Sequence, residues 1–220
     1  MNIETQIVPK RRRKASKEER RRQLIDATIK TIASKGISGT TTTDVTREAG
    51  LSAGIVSLHF DGKHGLLTET LRFLAEEHRG VWVEAYEDAN LTTAEKLRVV
   101  VDANFDSRIC TPEKISAWFA YFGEAKYRAV YRELINDFDT ERGDVLATLC
   151  AELCQDGGYE TVDPASLASS IESLADGFWL GMVLYPDWAT PEDLKQRIYD
   201  MIAAHFPQHF KDRAGARTVA

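Results

Sequence analysis

The sequence predicts an all-α protein of about nine helices, with a small N-terminal bundle followed by a larger C-terminal one. Three observations predict it. Apolar residues recur at helical spacing from Leu24, Ile25, Thr28, Ile29 and Ile32 near the start to Leu194, Ile198, Met201 and Ile202 near the end. The segments that carry them open on Ser, Thr or Asp and close on Gly or Pro. No run of alternating apolar and polar residues competes as a strand.

Composition narrows the class. A chain of 220 residues, 43% hydrophobic and 28% charged, can bury the core of one large or two modest soluble domains. No apolar run reaches membrane-spanning length, and the basic N-terminal cluster has no apolar stretch behind it to make a secretory leader. Cys110, Cys150 and Cys154 form no even disulfide framework, which suits a reducing cytoplasm. A cytoplasmic protein with no membrane partner is therefore expected. The net charge of −6 hides an asymmetry: residues 1–63 carry 13 Lys and Arg against 7 Asp and Glu, and residues 64–220 carry 15 against 27. A basic first third suits a polyanion, while an acidic remainder discourages indiscriminate coating of DNA.

The elements follow in order. Residues 1–15 read as a disordered basic arm whose Arg11, Arg12 and Arg13 can reach phosphates or a minor groove. Ser16 and Glu19 make a capping box for a helix from Lys17 to Lys35, ended by Gly36. Thr41, with Asp44 reaching back, opens a second helix that Gly50 stops. Ser52 is placed to cap a third, Ala53 to Phe60, with Ile55 and Val56 inward and Ala53, Gly54, Ser57 and Leu58 outward. Two short helices joined by a tight glycine turn make a helix-turn-helix, so residues 16–61 read as a DNA-binding domain. In such a domain the second helix enters the major groove, and small residues at its start allow close approach. The expected DNA contacts are Thr41, Thr42, Thr43, Ser52, Ala53, Gly54, Ser57, Leu58 and His59. Lys63 joins them, beside free N–H groups at the start of a helix that Asp61 can cap. The bland alternative is an ordinary helical hairpin.

Residues 62–210 read as a second domain, and residues 211–220 as a disordered tail. The helix from Gly62 runs to about Tyr86, long enough to bridge both domains. Thr92 with Glu95, then Thr111-Pro112, open two more helices. A long helical stretch from about Glu124 to Cys154 is stopped by Gly157-Gly158. Asp163-Pro164 opens the next, which ends near Tyr185-Pro186, and Thr190-Pro191 with Asp193 opens the last. Leu167, Ile171, Leu174 and Phe178, with Leu194, Ile198, Met201, Ile202 and His205, form stripes that could make a dimer surface or close the monomer core.

The segment GLSAGIVSLHFDGKHGLL, residues 50–67, resembles the recognition-helix segment of the TetR family of repressors, and within it the choline-responsive BetI type. The likeness covers about Arg20 to Leu74. Leu58 stands where that family usually has histidine, and His59 where it usually has a phosphate-contacting tyrosine. Farther on, SLADGFWLG at residues 173–181, Asn104-Phe105-Asp106 and Ala117-Trp118 resemble BetI-type stretches. The resemblance implies a TetR-like fold, a homodimer through the last two helices and a palindromic double-stranded DNA operator. It further implies repression of choline or glycine betaine genes relieved by a small effector such as choline.

A quaternary ammonium cannot donate a hydrogen bond, so it must be held by aromatic faces and charge. The residues supplied for this are Trp82, Tyr86, Phe105, Trp118, Tyr121, Phe122 and Trp179, with Asp176 as the carboxylate. Any one of these rings could equally be core filler, in which case an unrelated apolar molecule becomes the effector. An enzyme is the rival class, but no nucleotide-binding glycine loop, Ser-His-acid elbow or metal motif is visible, so no cofactor is expected. His205 and His209 lie i, i+4 with Pro207 between them and read as solvent-facing rather than as a metal pair. An architectural DNA-coating protein is disfavoured by the acidic C-terminal body.

Overall fold

The computed structural model describes residues 16–124 and 128–210. Among these residues there are nine helices and no strand. The basic arm with Arg11, Arg12 and Arg13, and the tail 211–220, lie outside the described residues.

Helix α1 (Lys17–Gly39) begins on the Ser16 capping box, with Glu19 N–H donating to Ser16 Oγ at 3.1 Å. Its regular part stops where the sequence says it should, at Gly36, whose φ of 68° an L side chain rarely adopts. Helix α2 (Thr42–Glu48) is capped by Thr41, and α3 (Ile55–His59) is shorter than expected. Ser52 does not cap α3 with its side chain. Its carbonyl accepts from Ile55 N–H at 3.1 Å, Ala53 and Gly54 are spent in the turn, and Gly54 stands at the cap position with no side-chain bond.

Helices α4 (Gly62–Tyr86), α5 (Thr93–Ala103) and α6 (Pro112–Gly123) follow. Helix α7 (Arg128–Gly157) begins later than Glu124, which instead ends α6 as its C-cap. Helices α8 (Pro164–Leu184) and α9 (Pro191–His205) complete the order, on the Asp163 and Thr190 caps expected of them.

Two buried clusters organise the fold. The first joins Leu24, Ile29 and Ile32 of α1, Val45 of α2 and Val56 of α3 to Leu66, Leu67 and Leu71 of α4. It continues without a break into Ile115, Trp118 and Tyr121 of α6, so packing crosses the division drawn at residue 61. The second gathers Trp82, Leu97, Val101 and Phe105 with Leu146, Leu149 and Cys150 of α7, and with the inner faces of α8 and α9.

Here the stripes on α8 and α9 find their use. Leu167, Ile171, Phe178, Leu194, Ile198 and Ile202 are all buried inside the monomer, so they close its core and are not a dimer surface. Leu174 and Met201 are half-buried against that core, and His205 is exposed. His209 is not solvent-facing: its Nε2 sits 2.8 Å from Asp156 and its Nδ1 3.2 Å from the Tyr159 hydroxyl, which tethers the end of the described chain to α7.

Candidate functional site: a DNA-facing helix pair and an aromatic cavity

The turn between α2 and α3 is built by Gly50, whose φ is 64°, and by Leu51 N–H donating to Thr46 C=O at 2.8 Å. Thr41 Oγ accepts from Asp44 N–H at 3.1 Å and donates to Asp44 Oδ2 at 2.7 Å. Lys35 and Thr41 bond that carboxylate and hold its pKa down at about 2, so it stays charged in the first turn of α2. Val56 and Phe60 are buried while Ser52, Ala53, Gly54, Ser57 and Leu58 are exposed, Leu58 by 72%. Thr41 and Thr43 are exposed too, with Thr42 and Lys63 half-buried. His59 contributes less than its position promises, because its Nδ1 is buried without a hydrogen-bond partner among the described residues.

Two arginines of the basic cluster are already engaged. Arg21 donates to the His59 carbonyl, pairs with Glu69 at 3.1 Å and lies 4.5 Å over the Phe60 ring. Arg22 pairs with Asp26 and lies 4.0 Å over Phe73. Both fasten α1 to the helices beneath it.

In the C-terminal part, α4, α6, α7 and α8 enclose a cavity of about 160 Å³. Helix α4 supplies Ala75, His78, Arg79 and Trp82, and α6 supplies Trp118 and Phe122. Helix α8 gives Asp176 and Trp179. The longest wall is α7, with Tyr131, Ile135, Phe138, Asp139 and Arg142 on one face. Tyr131 packs 4.7 Å from Phe122 and edge-on to Trp118 at 6.2 Å. Burial raises the Tyr131 phenol, as does Asp139, to which it donates at 3.3 Å.

Three expected effector residues are elsewhere. Tyr121 is fully buried and donates to the Leu67 carbonyl. Phe105 is 7% exposed in the second core cluster, where it fills space between helices. Tyr86 packs beyond Trp82, with Lys96 over its ring at 5.1 Å. Trp82, Trp118, Phe122, Asp176 and Trp179 do line it.

Residues 24–70 match the tetR family of bacterial regulatory proteins, and residues 93–207 match the C-terminal part of BetI-type transcriptional repressors. The HTH-type transcriptional regulator BetI of Burkholderia thailandensis is 34% identical over 167 residues, 74% of this chain and 82% of that protein. The chain belongs to the TetR family, with a BetI-type C-terminal part. It is thus a DNA-binding transcriptional regulator of repressor type and not an enzyme. The fold agrees with solved structures. A transcriptional regulator from Pseudomonas aeruginosa PAO1 superposes with a TM-score of 0.74 at 24% identity, covering 90% of this chain and 95% of that one. A regulator from Saccharomonospora viridis, solved in complex with choline, superposes with a TM-score of 0.71 at 22% identity, covering 84% and 96%.

In this TetR-family chain the cavity's charges are unevenly matched. Arg79 is taken up by a two-point bond to Glu141, at 2.5 and 2.6 Å. Arg142 alone faces Glu172 at 3.0 Å, Asp139 at 3.8 Å and the field of Asp176. Burial raises the pKa of Asp139, as does Glu172, against the opposing pull of Arg142 and Tyr131. The Asp176 residue as a whole is exposed, yet desolvation of its carboxyl by the wall, with Glu172 and Asp139, raises its pKa against the pull of Arg142. Carboxylates therefore outnumber the cation that offsets them. The α7 residues were missed because a polar pair was hidden in an apolar stripe. The signal was present: Tyr131, Ile135, Phe138, Asp139 and Arg142 recur at i, i+4, i+7, i+8 and i+11.

Proposed function

We propose that this regulator is a cytoplasmic homodimeric repressor of choline or glycine betaine genes, released from a palindromic operator by choline or a related methylated ammonium. The observation that carries the effector reading is the meeting of aromatic rings with uncompensated carboxylate in one cavity. Trp118, Phe122, Tyr131 and Trp179 offer faces, and Asp176 and Asp139 offer charge, which is what a cation without N–H groups demands. Its volume, about 160 Å³, is close to that of an engineered cavity of about 150 Å³ that binds benzene, a scale that suits choline. The choline complex of the Saccharomonospora relative supports the same reading.

A two-fold operator needs a two-fold reader. The outward face of α8, where Gly177, Leu180 and Leu184 are exposed, is the apolar surface left for a second copy once the core has taken the inner stripes. The acidic body and basic reading head suit recognition of a site rather than coating.

The test compares choline with its uncharged isostere 3,3-dimethylbutanol by calorimetry. A desolvated cation–π contact contributes about 2 kcal/mol or more, so losing the charge should weaken binding by at least ~30-fold. If the two bind alike, the rings are filler around an apolar effector. Trp118→Leu keeps apolar volume and removes the ring's quadrupole, so it should reduce choline affinity while melting near the wild-type temperature.

A further inference from the structure

The cavity wall includes His78, one of whose ring nitrogens has no hydrogen-bond partner among the described residues. His78 is 6% exposed and its Nδ1 lies 3.2 Å from Arg142 Nη1. A guanidinium only donates, so Nδ1 must accept, and a neutral imidazole then carries its proton on Nε2. Burial secures the neutral form: with Arg142 it pushes the pKa down to about 3, against a smaller opposing influence from Asn104. Nε2 is buried and has no hydrogen-bond partner among the described residues. Asn104 is near enough to influence the ring but turns its Nδ2 to the carbonyls of Val100 and Val101, at 3.3 and 3.4 Å, and makes no bond to Nε2.

This donor is also held still. Trp179 packs against the imidazole at 5.9 Å, and Arg142 is fixed in turn by Glu172. A buried N–H without an acceptor is costly, and a ligand oxygen placed there removes the cost on binding. The charges nearby select the kind of oxygen. Arg79 is spent on Glu141, and Arg142 is outnumbered by Glu172, Asp139 and Asp176, so an ionised oxygen would enter a site already negative.

We propose that His78 Nε2 donates to an uncharged oxygen, a hydroxyl or a carbonyl, carried by the effector a few atoms from its methylated nitrogen. His78 thereby chooses among ammonium ligands, while the rings and carboxylates hold the cation common to all of them. This rests on the methylated-ammonium reading of the cavity.

The experiment titrates the full chain by calorimetry with tetramethylammonium, choline, choline methyl ether and glycine betaine. Choline should bind about tenfold tighter than tetramethylammonium. The ether, which accepts but cannot donate, should bind like choline, and glycine betaine should bind below it. In His78→Phe the ratio of choline to tetramethylammonium affinity should fall to near one, and His78→Gln, whose amide donates, should keep part of it. A general loosening of the cavity weakens both ligands together and leaves that ratio unmoved. Equal binding of choline and tetramethylammonium by the wild type overturns the assignment of His78 while leaving the ammonium reading intact, and so does a ratio that survives His78→Phe. Loss of binding by the ether overturns the direction of the bond. Binding of none of the four overturns the ammonium reading itself. Should His78→Phe fail to fold, His78→Gln supplies the comparison, and the wild-type ligand series can still overturn the assignment.

Discussion

The phenol of Tyr121 donates a 2.7 Å hydrogen bond to the backbone carbonyl of Leu67, joining α6 to α4 inside the first core cluster. Both residues are fully buried, so the bond is part of the scaffold that connects the DNA-binding helices to the cavity wall, and not part of the cavity. Tyr121→Phe keeps the ring and removes only the hydroxyl. It should cost about 1 kcal/mol of stability, read as a lowered melting temperature, with choline affinity unchanged. A fall in effector affinity without a fall in melting temperature would move Tyr121 back into the effector site.

Arginine and lysine on the DNA-facing side should behave differently when removed. Among the described residues Lys63 makes no ion pair, whereas Arg21 has Glu69, the His59 carbonyl and the Phe60 face. Lys63→Ala should weaken binding evenly across sequences and lower the salt slope by about two, one for each copy in the proposed dimer, with an unchanged melting temperature. Arg21→Ala should instead lower the melting temperature. Deleting residues 1–15 should act like Lys63→Ala, but more strongly, because it removes five consecutive basic residues without touching base contacts. Binding over a series of salt concentrations, paired with melting curves, separates these cases.

Leu58 is the most exposed large apolar side chain among the described residues, at 72%, and it projects from α3, the helix proposed to enter the groove. An apolar side chain in the major groove has one natural partner, the thymine methyl. Replacing the contacted thymine by uracil should weaken binding about fourfold, the worth of one methyl-sized group at about 0.8 kcal/mol. Leu58→Ala should bind the two operators alike. Equal sensitivity in both proteins would assign the methyl contact to another residue.

Stability should depend on pH through His78. Its pKa is about 3 in the fold against about 6.5 when unfolded, so between those values the unfolded chain binds a proton that the folded one refuses. Stability is therefore present above pH 6.5 and is lost as pH falls, by up to about 1.4 kcal/mol per unit. Asp139 and Asp176 have raised pKa values and act in the opposite sense, gaining stability as pH falls through them. Urea denaturation at pH 7 and pH 5 should show a clear loss in the wild type and a smaller one in His78→Gln.

What was legible in the sequence was local. Caps at Ser16, Thr92, Thr111, Asp163 and Thr190 act within three residues of themselves, and the helices start where those residues say. Ser52 failed because two competing turn residues, Ala53 and Gly54, delay the helix beyond the reach of its hydroxyl. Which face of a helix meets which neighbour is not local. The stripe Leu167, Ile171 and Phe178 has the same periodicity whether it meets α7 or another subunit, and only the assembled bundle shows that α7 has taken it. The cavity suffered likewise: Trp118 and Tyr121 are three residues apart on one helix, and one lines the cavity while the other lies behind it.

The last prediction concerns how the cavity speaks to DNA. Helix α6 carries Trp118 and Phe122 in the cavity wall, packs along α1 and ends on Glu124, whose Oε2 accepts a 2.7 Å hydrogen bond from Ser38 Oγ at the far end of α1. A ligand that pushes on Trp118 and Phe122 therefore pushes on the helix that supports α2 and α3. The proposed two-fold operator requires two recognition helices about 34–36 Å apart, or a multiple of one helical turn of DNA, so a small tilt at α1 can break the match. By linkage, effector should weaken operator binding by the same factor as operator weakens effector binding, typically ~5- to 150-fold. Effector affinity measured with and without operator DNA tests this directly, and equal values would rule the coupling out. Ser38→Ala cuts the exposed tie between α1 and Glu124 while leaving the buried packing of α6 in place. It should leave each affinity alone nearly unchanged and reduce the coupling factor. If coupling survives intact in Ser38→Ala but falls when Phe122 is truncated, the signal travels through the apolar contacts of α6 rather than through its end.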